Sequence, residues 1–207
     1  MLAAFTASLL LITVSELGDK TFFIAAILAM RHQRRWVFMG ALGALATMTL
    51  LSVLVGQVAT LLPPEVVKWV EIGLFAVFGV KLLYQAQQMT VGTGHATEEK
   101  DAAEAVAQAE ANPPKETPIA IVAEAFGLTF VAEWGDRTQI ATIALAAVHP
   151  PGGVVAGAVL GHAVCAAIAV NCGRWLCGRI SERTLTALGG GMFLLFAALG
   201  LSAKAEL

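Results

Sequence analysis

Glu16-Leu17-Gly18-Asp19-Lys20-Thr21 and Glu133-Trp134-Gly135-Asp136-Arg137-Thr138 are one pattern occurring twice, at an offset of 117 positions (133 minus 16). The same offset, held without a gap, aligns Leu28 with Leu145, His32 with His149, Gly40 with Gly157, Ala46 with Ala163 and Gly56 with Gly173. A hexapeptide can recur by accident. A gapless register maintained over some forty residues is the mark of an internal duplication.

Working outward, each copy lies at the centre of a long apolar stretch. Six such stretches run over about 1–30, 38–61, 68–88, 118–147, 153–176 and 184–203. The chain is 57% hydrophobic and only 14% charged, with mean hydropathy +0.76. Soluble domains carry about 25% charged residues, and a bilayer core needs about 20 apolar residues per helical crossing. The composition therefore predicts an all-α integral membrane protein with six transmembrane helices. The first and fourth stretches are too long for one straight crossing. The chain begins MLAAFTASLLLITV, without a basic leader region, and is read as the first span itself.

Three spans per copy is an odd number, so the second copy enters the membrane from the opposite side. The expected organisation is two inverted-topology three-helix repeats, 1–89 and 118–207, joined by an acidic linker over 90–117. Such repeats are common among secondary transporters with a midplane site. The linker contains EEKDAAEAVAQAEANPPKE and is expected to be solvated, with one frayed helix at most. Its lone His95 suggests no metal chemistry. Arg31, Arg34 and Arg35 follow the first span, and Arg174, Arg179 and Arg183 follow the fifth, leaving little beyond Lys68 and Lys204 opposite. The positive-inside rule then puts these arginines and the linker in the cytoplasm and both termini on the non-cytoplasmic side.

The duplicated motif puts Glu16, Asp19, Lys20, Glu133, Asp136 and Arg137 near the middle of apolar spans. Six charges facing lipid would cost on the order of 15–20 kcal/mol, so they must face one another, a cavity or an ion. Structural salt bridges alone are the plainer explanation, but they do not account for the recurring Glu-x-Gly-Asp spacing. On a continuous helix Asp19 and Lys20 would both neighbour Glu16. Gly18 and Gly135 would instead let the helix open or another backbone approach. Thr21 and Thr138 add hydroxyl oxygens, and Gln139 an amide in the second copy only. Ser15 and Thr13 are weaker candidates. Four carboxylates with hydroxyls form a hard oxygen set that suits calcium, magnesium or manganese. Elsewhere His162 and Asn171 are intramembrane polar residues best explained by helix packing, as are Gly153, Gly157 and Gly161 on one face of span five and Gly40 with Ala44 in span two. Gly189-Gly190-Gly191 suggests flexible or closely packed backbone. Glu71 and Lys81 are assigned to opposite ends of span three. Cys165, Cys172 and Cys177 form no C-x-x-C pair and read as small packing residues.

Charge counting suggests a mechanism. Four carboxylates with Lys20 and Arg137 sum to −2 (minus four plus two), which one divalent cation or two protons would neutralise. Protons can therefore compete with the metal. This favours proton-coupled exchange, with Lys20 and Arg137 balancing charge. A six-span exporter of an amino acid or other small solute is an alternative, but an acid-rich motif suits it poorly. A passive cation channel is another. Intramembrane enzyme chemistry has no supporting motif such as H-E-x-x-H or G-x-S-x-G, and a net charge of −2 offers nothing to nucleic acid.

Two copies of E-x-G-D-[KR]-[TS] in a six-span inverted repeat resemble the manganese/calcium cation–proton exchanger family, which includes bacterial manganese exporters and chloroplast and Golgi manganese/calcium transporters. The resemblance covers nearly the whole chain. It implies Glu16, Asp19, Glu133 and Asp136 as ligands of a transported manganese or calcium ion, with Lys20, Thr21, Arg137 and Thr138 in the other motif places. It implies no cofactor; the partners are the cation, protons and the lipid bilayer. A bacterial inner (plasma) membrane, or a thylakoid membrane in a cyanobacterium, fits the absence of a long N-terminal extension. The sequence leaves manganese against calcium, proton stoichiometry and oligomeric state, a homo-oligomer included, open.

Overall fold

The computed structural model describes residues 1–89, 96–110, 117–176 and 181–205, and all of the regular structure among them is helical. The elements are α1 (Leu2–Glu16), α2 (Lys20–Arg31), α3 (Arg34–Ala59), α4 (Pro64–Gln88), α5 (Ala96–Ala109), α6 (Pro118–Glu133), α7 (Arg137–Val148), α8 (Pro151–Leu176) and α9 (Glu182–Ala205). Cys177, Arg179 and His95, and the side chains of Arg174 and Lys204, lie outside the described residues.

Both overlong apolar stretches are broken at the motif. α1 and α2 meet at 65°, and α6 and α7 at 74°. The break has a local cause: Gly18 and Gly135 adopt φ of 78° and 82°, the left-handed region that favours glycine. Glu16 and Glu133 each close one half-helix, while Asp19 and Asp136 each stand at the N-cap of the next. The expectation that Glu16, Asp19 and Lys20 share one face of a continuous helix is thereby corrected. They straddle a sharp corner.

Three helices are long and apolar enough to cross a bilayer: Arg34–Ala59, Pro151–Cys172 and Arg183–Ser202 within α3, α8 and α9. The two bent pairs raise the number of candidate spans to five, and the protein is an integral membrane protein. α4 has 25 residues and is not in that group.

Packing exchanges partners between the two halves. α3 lies against α6 and α7, α8 lies against α1 and α2, and α4 pairs with α9. Small residues permit the close crossings. A Cβ on Gly40 would stand 2.5 Å from the Val122 carbonyl of α6, and one on Gly56 would stand 2.6 Å from the Ile143 carbonyl of α7. Gly153, Gly157 and Gly161 do the same service for α8 against Ala4, Ser8 and Ile12 of α1. Of the three-glycine run in α9, Gly190 is pressed against Gly79 and Leu83 of α4, whereas Gly191 faces open space. Phe75 and Phe78 meet Phe193 edge-on at 5.7 Å across the α4–α9 seam.

Two hydrophobic clusters flank the level of the motif. One gathers Phe23 and Ile24 of α2, Val37 of α3, Ala125 of α6 and Ala169 of α8. The other gathers Leu11 of α1, Val53 of α3, Phe75 of α4, Leu145 of α7 and Phe193 of α9. The first also includes Ala102 and Val106, both fully buried. They belong to α5, in the stretch expected to be a solvated linker. That expectation fails for a visible reason: alanines and a valine spaced along one face of an otherwise acidic helix dock against α2.

Candidate functional site

The two corners come together. Ligand oxygens of Glu16, Asp19 and Glu133 all lie within 4.8 Å of one another. Glu16 and Glu133 are each 2% exposed. Their surroundings match: Thr21 Oγ1 donates to Glu16 Oε2 at 3.3 Å, and Thr138 Oγ1 donates to Glu133 Oε2 at 3.3 Å. In both residues the other oxygen, Oε1, is buried and accepts no hydrogen bond. A buried, unsatisfied carboxylate oxygen is costly. Two of them aimed into one cluster form an arrangement that a cation or protons would complete.

The half-helix ends add to this. α1 and α6 finish at the site, and a helix C-terminus carries partial negative charge equivalent to about half an elementary charge, which favours a cation. Oxygen from carboxylates and threonines, without sulfur or imidazole, is the donor set of a hard divalent ion.

The two aspartates differ. Asp19 Oδ1 accepts a hydrogen bond from Arg137 Nη2 at 3.0 Å, an ion pair across the two halves. Asp136 turns back on its own helix, where its Oδ2 accepts from the Thr138 backbone N–H at 3.2 Å and from Thr138 Oγ1 at 3.1 Å. Of the four expected ligands the structure thus clusters three, with Asp136 alongside. Gln139 is not directed at the cluster; its Oε1 accepts from the Gly135 N–H at 2.7 Å and braces the corner. Lys20 lines the adjoining cavity. Ser15 has a buried hydroxyl without a hydrogen-bond partner and lines the same cavity, so the weaker candidate is well placed. Thr13 offers its carbonyl to Cys165 Sγ instead. His162 is buried in α8 with Nδ1 unpartnered, and Asn171 is exposed and donates to the Ala167 carbonyl. Sequence reasoning passed over Thr129, 1% exposed and with an unpartnered hydroxyl, because nothing in the motif marks it.

A cavity of about 510 Å³ leads to the cluster. Asp19, Lys20, Asp136 and Arg137 line it, together with Lys81 and Gln85 of α4, Leu185 and Thr186 of α9, and Thr97 and Glu98 of α5. The α4–α9 pair packs against α7 and α1. Among the described residues it forms no comparable interface with α2 or α6.

Comparison with known proteins bears on a site of this kind. A profile described as the divalent cation/proton antiporter GDT1 matches residues 4–90 and 121–206. This chain belongs to the GDT1 family. A GDT1-like protein of Synechocystis is 58% identical over 202 residues, covering 95% of this chain and 96% of its own length. GDT1-like protein 4 of Oryza sativa subsp. indica is 43% identical over 204 residues, covering 93% and 71%. The chloroplastic PAM71-homolog of Arabidopsis thaliana is 39% identical over 209 residues; the match covers 95% of this chain but 58% of that longer relative. No solved structure matches. Membership of the GDT1 family makes the chain a membrane cation transporter and not an enzyme. Both halves of the match contain one copy of the duplicated motif.

Proposed function

We propose that this GDT1 protein exchanges a divalent cation, manganese or calcium, for protons at the cluster of Glu16, Asp19 and Glu133, with Asp136, Thr21 and Thr138 as further oxygen donors. The observation that carries the proposal is the pair of buried, unpartnered Oε1 atoms on Glu16 and Glu133 within reach of Asp19. A divalent ion entering through the cavity meets Asp19 first and then the two glutamates. Protons satisfy the same oxygens after it leaves. Because both occupants compete for one set of carboxylates, metal affinity falls as pH falls. Lys20 and Arg137 offset part of the negative charge and keep the ion releasable.

The transport cycle is alternating access by two inverted repeats, 1–89 and 118–207, with α4 as the sixth span. Exchange of packing partners between the halves supports this plan. So does the lean of α4 and α9 on α7 and α1: the reverse lean, onto α2 and α6, would change the side from which the site is reached. By the positive-inside rule, the arginines after α2 favour a cytoplasmic α5 and termini on the non-cytoplasmic side. The membrane is a bacterial plasma membrane or a cyanobacterial thylakoid, the latter consistent with the Synechocystis relative.

Proteoliposomes containing the purified chain test the proposal. With an imposed pH gradient, Mn²⁺ or Ca²⁺ movement against its own gradient is expected, Mg²⁺ serving as the third cation tried. Cation flux indifferent to the pH gradient, or flux at the wild-type rate through Asp19→Asn, would overturn it.

A further inference from the structure

A second group of metal-capable side chains lies at the α5 end, away from the transport site. His32 caps the C-terminus of α2, Glu110 follows α5, and Glu124 projects from α6. One ligand atom from each lies within 4.8 Å of the others. His32 Nε2 stands 3.4 Å from Glu110 Oε1 and 3.7 Å from Glu124 Oε2. The Glu124 side chain is 7% exposed, and both its oxygens are buried without a hydrogen-bond partner, as is His32 Nε2. Arg31 pairs with Glu110 and not with Glu124.

A protonated His32 bridging two glutamates is the plainer account of this cluster. It would place Nε2 in hydrogen-bond contact with at least one of them, at about 2.7–2.9 Å for such charged pairs. The observed spacings are longer, and the three ligand atoms all lie within 4.8 Å of one another. Ligand atoms about 2.1 Å from a tetrahedral ion stand about 3.4 Å apart. One imidazole with two carboxylates is also a softer set than the all-oxygen transport cluster, suited to manganese, iron or zinc rather than to calcium or magnesium.

We propose that His32, Glu110 and Glu124 form a second, non-transported site for a divalent transition metal, which clamps α5 onto α2 and α6. α5 spans from this clamp to the transport cavity, which Thr97 and Glu98 help to line. Its 14 residues cover about 21 Å at 1.5 Å per residue. A metal at one end thus fixes the position of the other against the cavity. The clamp makes the helix an ion-responsive element; that consequence rests on the transport proposal, whereas the metal site does not.

The test uses the full chain in nanodiscs with the transport cluster disabled by Glu16→Gln and Glu133→Gln together. Mn²⁺ is titrated and followed by electron paramagnetic resonance, and tryptic cleavage after the exposed Lys100 of α5 is timed in parallel. The expected result is one Mn²⁺ retained per chain, slower cleavage with Mn²⁺ than without it, and loss of both effects on adding Glu124→Gln, with affinity down at least about tenfold. Should Glu124→Gln not fold, Glu110→Gln, at the end of a helix, removes the same ion. No Mn²⁺ held in the doubly substituted background, or bound Mn²⁺ indifferent to Glu124→Gln and Glu110→Gln, would overturn the clamp. Absent pH-coupled flux in the unsubstituted chain would fell the transport proposal and leave the clamp standing.

Discussion

The two motif copies are nearly the same in sequence and are held differently. In each, a threonine supports the glutamate from five residues downstream, and a glycine at positive φ turns the corner. The second aspartate caps α7, while the first leaves its own helix uncapped by its side chain and takes Arg137 from the other half. Local sequence therefore specifies the corner twice, and the surrounding packing specifies the roles of the aspartates. If the halves exchange conformations, the aspartates exchange too: Asp136 turns from its cap toward Lys20, and Arg137 releases Asp19.

The comparison is broken most directly at the glutamates. Glu16→Gln and Glu133→Gln should be equally damaging, each reducing Mn²⁺ affinity by more than about 100-fold, beyond the 10–100-fold expected for outer partners of a metal site. Equilibrium binding by each variant measures this, and a tolerant Glu133→Gln would remove the symmetry of the pair. Next in size, Asp19→Asn should cost about tenfold or more in binding. Asp136→Asn should cost less than about threefold, because asparagine caps a helix as well as aspartate does. Equal losses would mean that Asp136 holds the ion as strongly as Asp19 does in this conformation.

The corners themselves are tested by stability. Gly135 has open space around it, so Gly135→Ala isolates the backbone strain, about 1–2 kcal/mol. Gly127 in α6 has equal space and helical geometry, and Gly127→Ala should stabilise by up to about 1 kcal/mol. Thermal melts in one detergent should therefore move in opposite directions. The smallest effect is expected at Lys20. Unlike Arg137 it makes no ion pair within 4.0 Å among the described contacts, and Lys20→Gln should shift Mn²⁺ affinity by less than about threefold. A larger gain would show that Lys20 already shares the charge-offsetting role of Arg137 in this conformation.

Legibility in the sequence followed the range of the interaction. The apolar stretches and their breaks were visible because burial in lipid must be met residue by residue along the chain. The acidic motif was visible because charge in an apolar span requires a partner. α5 was misjudged: its composition is that of a solvated linker, and only a few small residues, Ala102 and Val106 among them, bury it against α2. The clamp was also missed, since His32, Glu110 and Glu124 are unremarkable at their separate positions and no spacing links them.

By itself the sequence determined that the chain is duplicated, that both copies bear carboxylates at the level where water is scarce, and that each contains a glycine able to turn a sharp corner. Those are properties of periodicity, charge and single-residue conformational freedom. Only the tertiary structure decided which three carboxylates converge, which aspartate is occupied as a cap, and which helices enclose the cavity. The first of these depends on how α3 and α8 bring the two corners together. Small residues that permit close helix contact permit it in more than one arrangement, so the choice among arrangements lies in the packing as a whole.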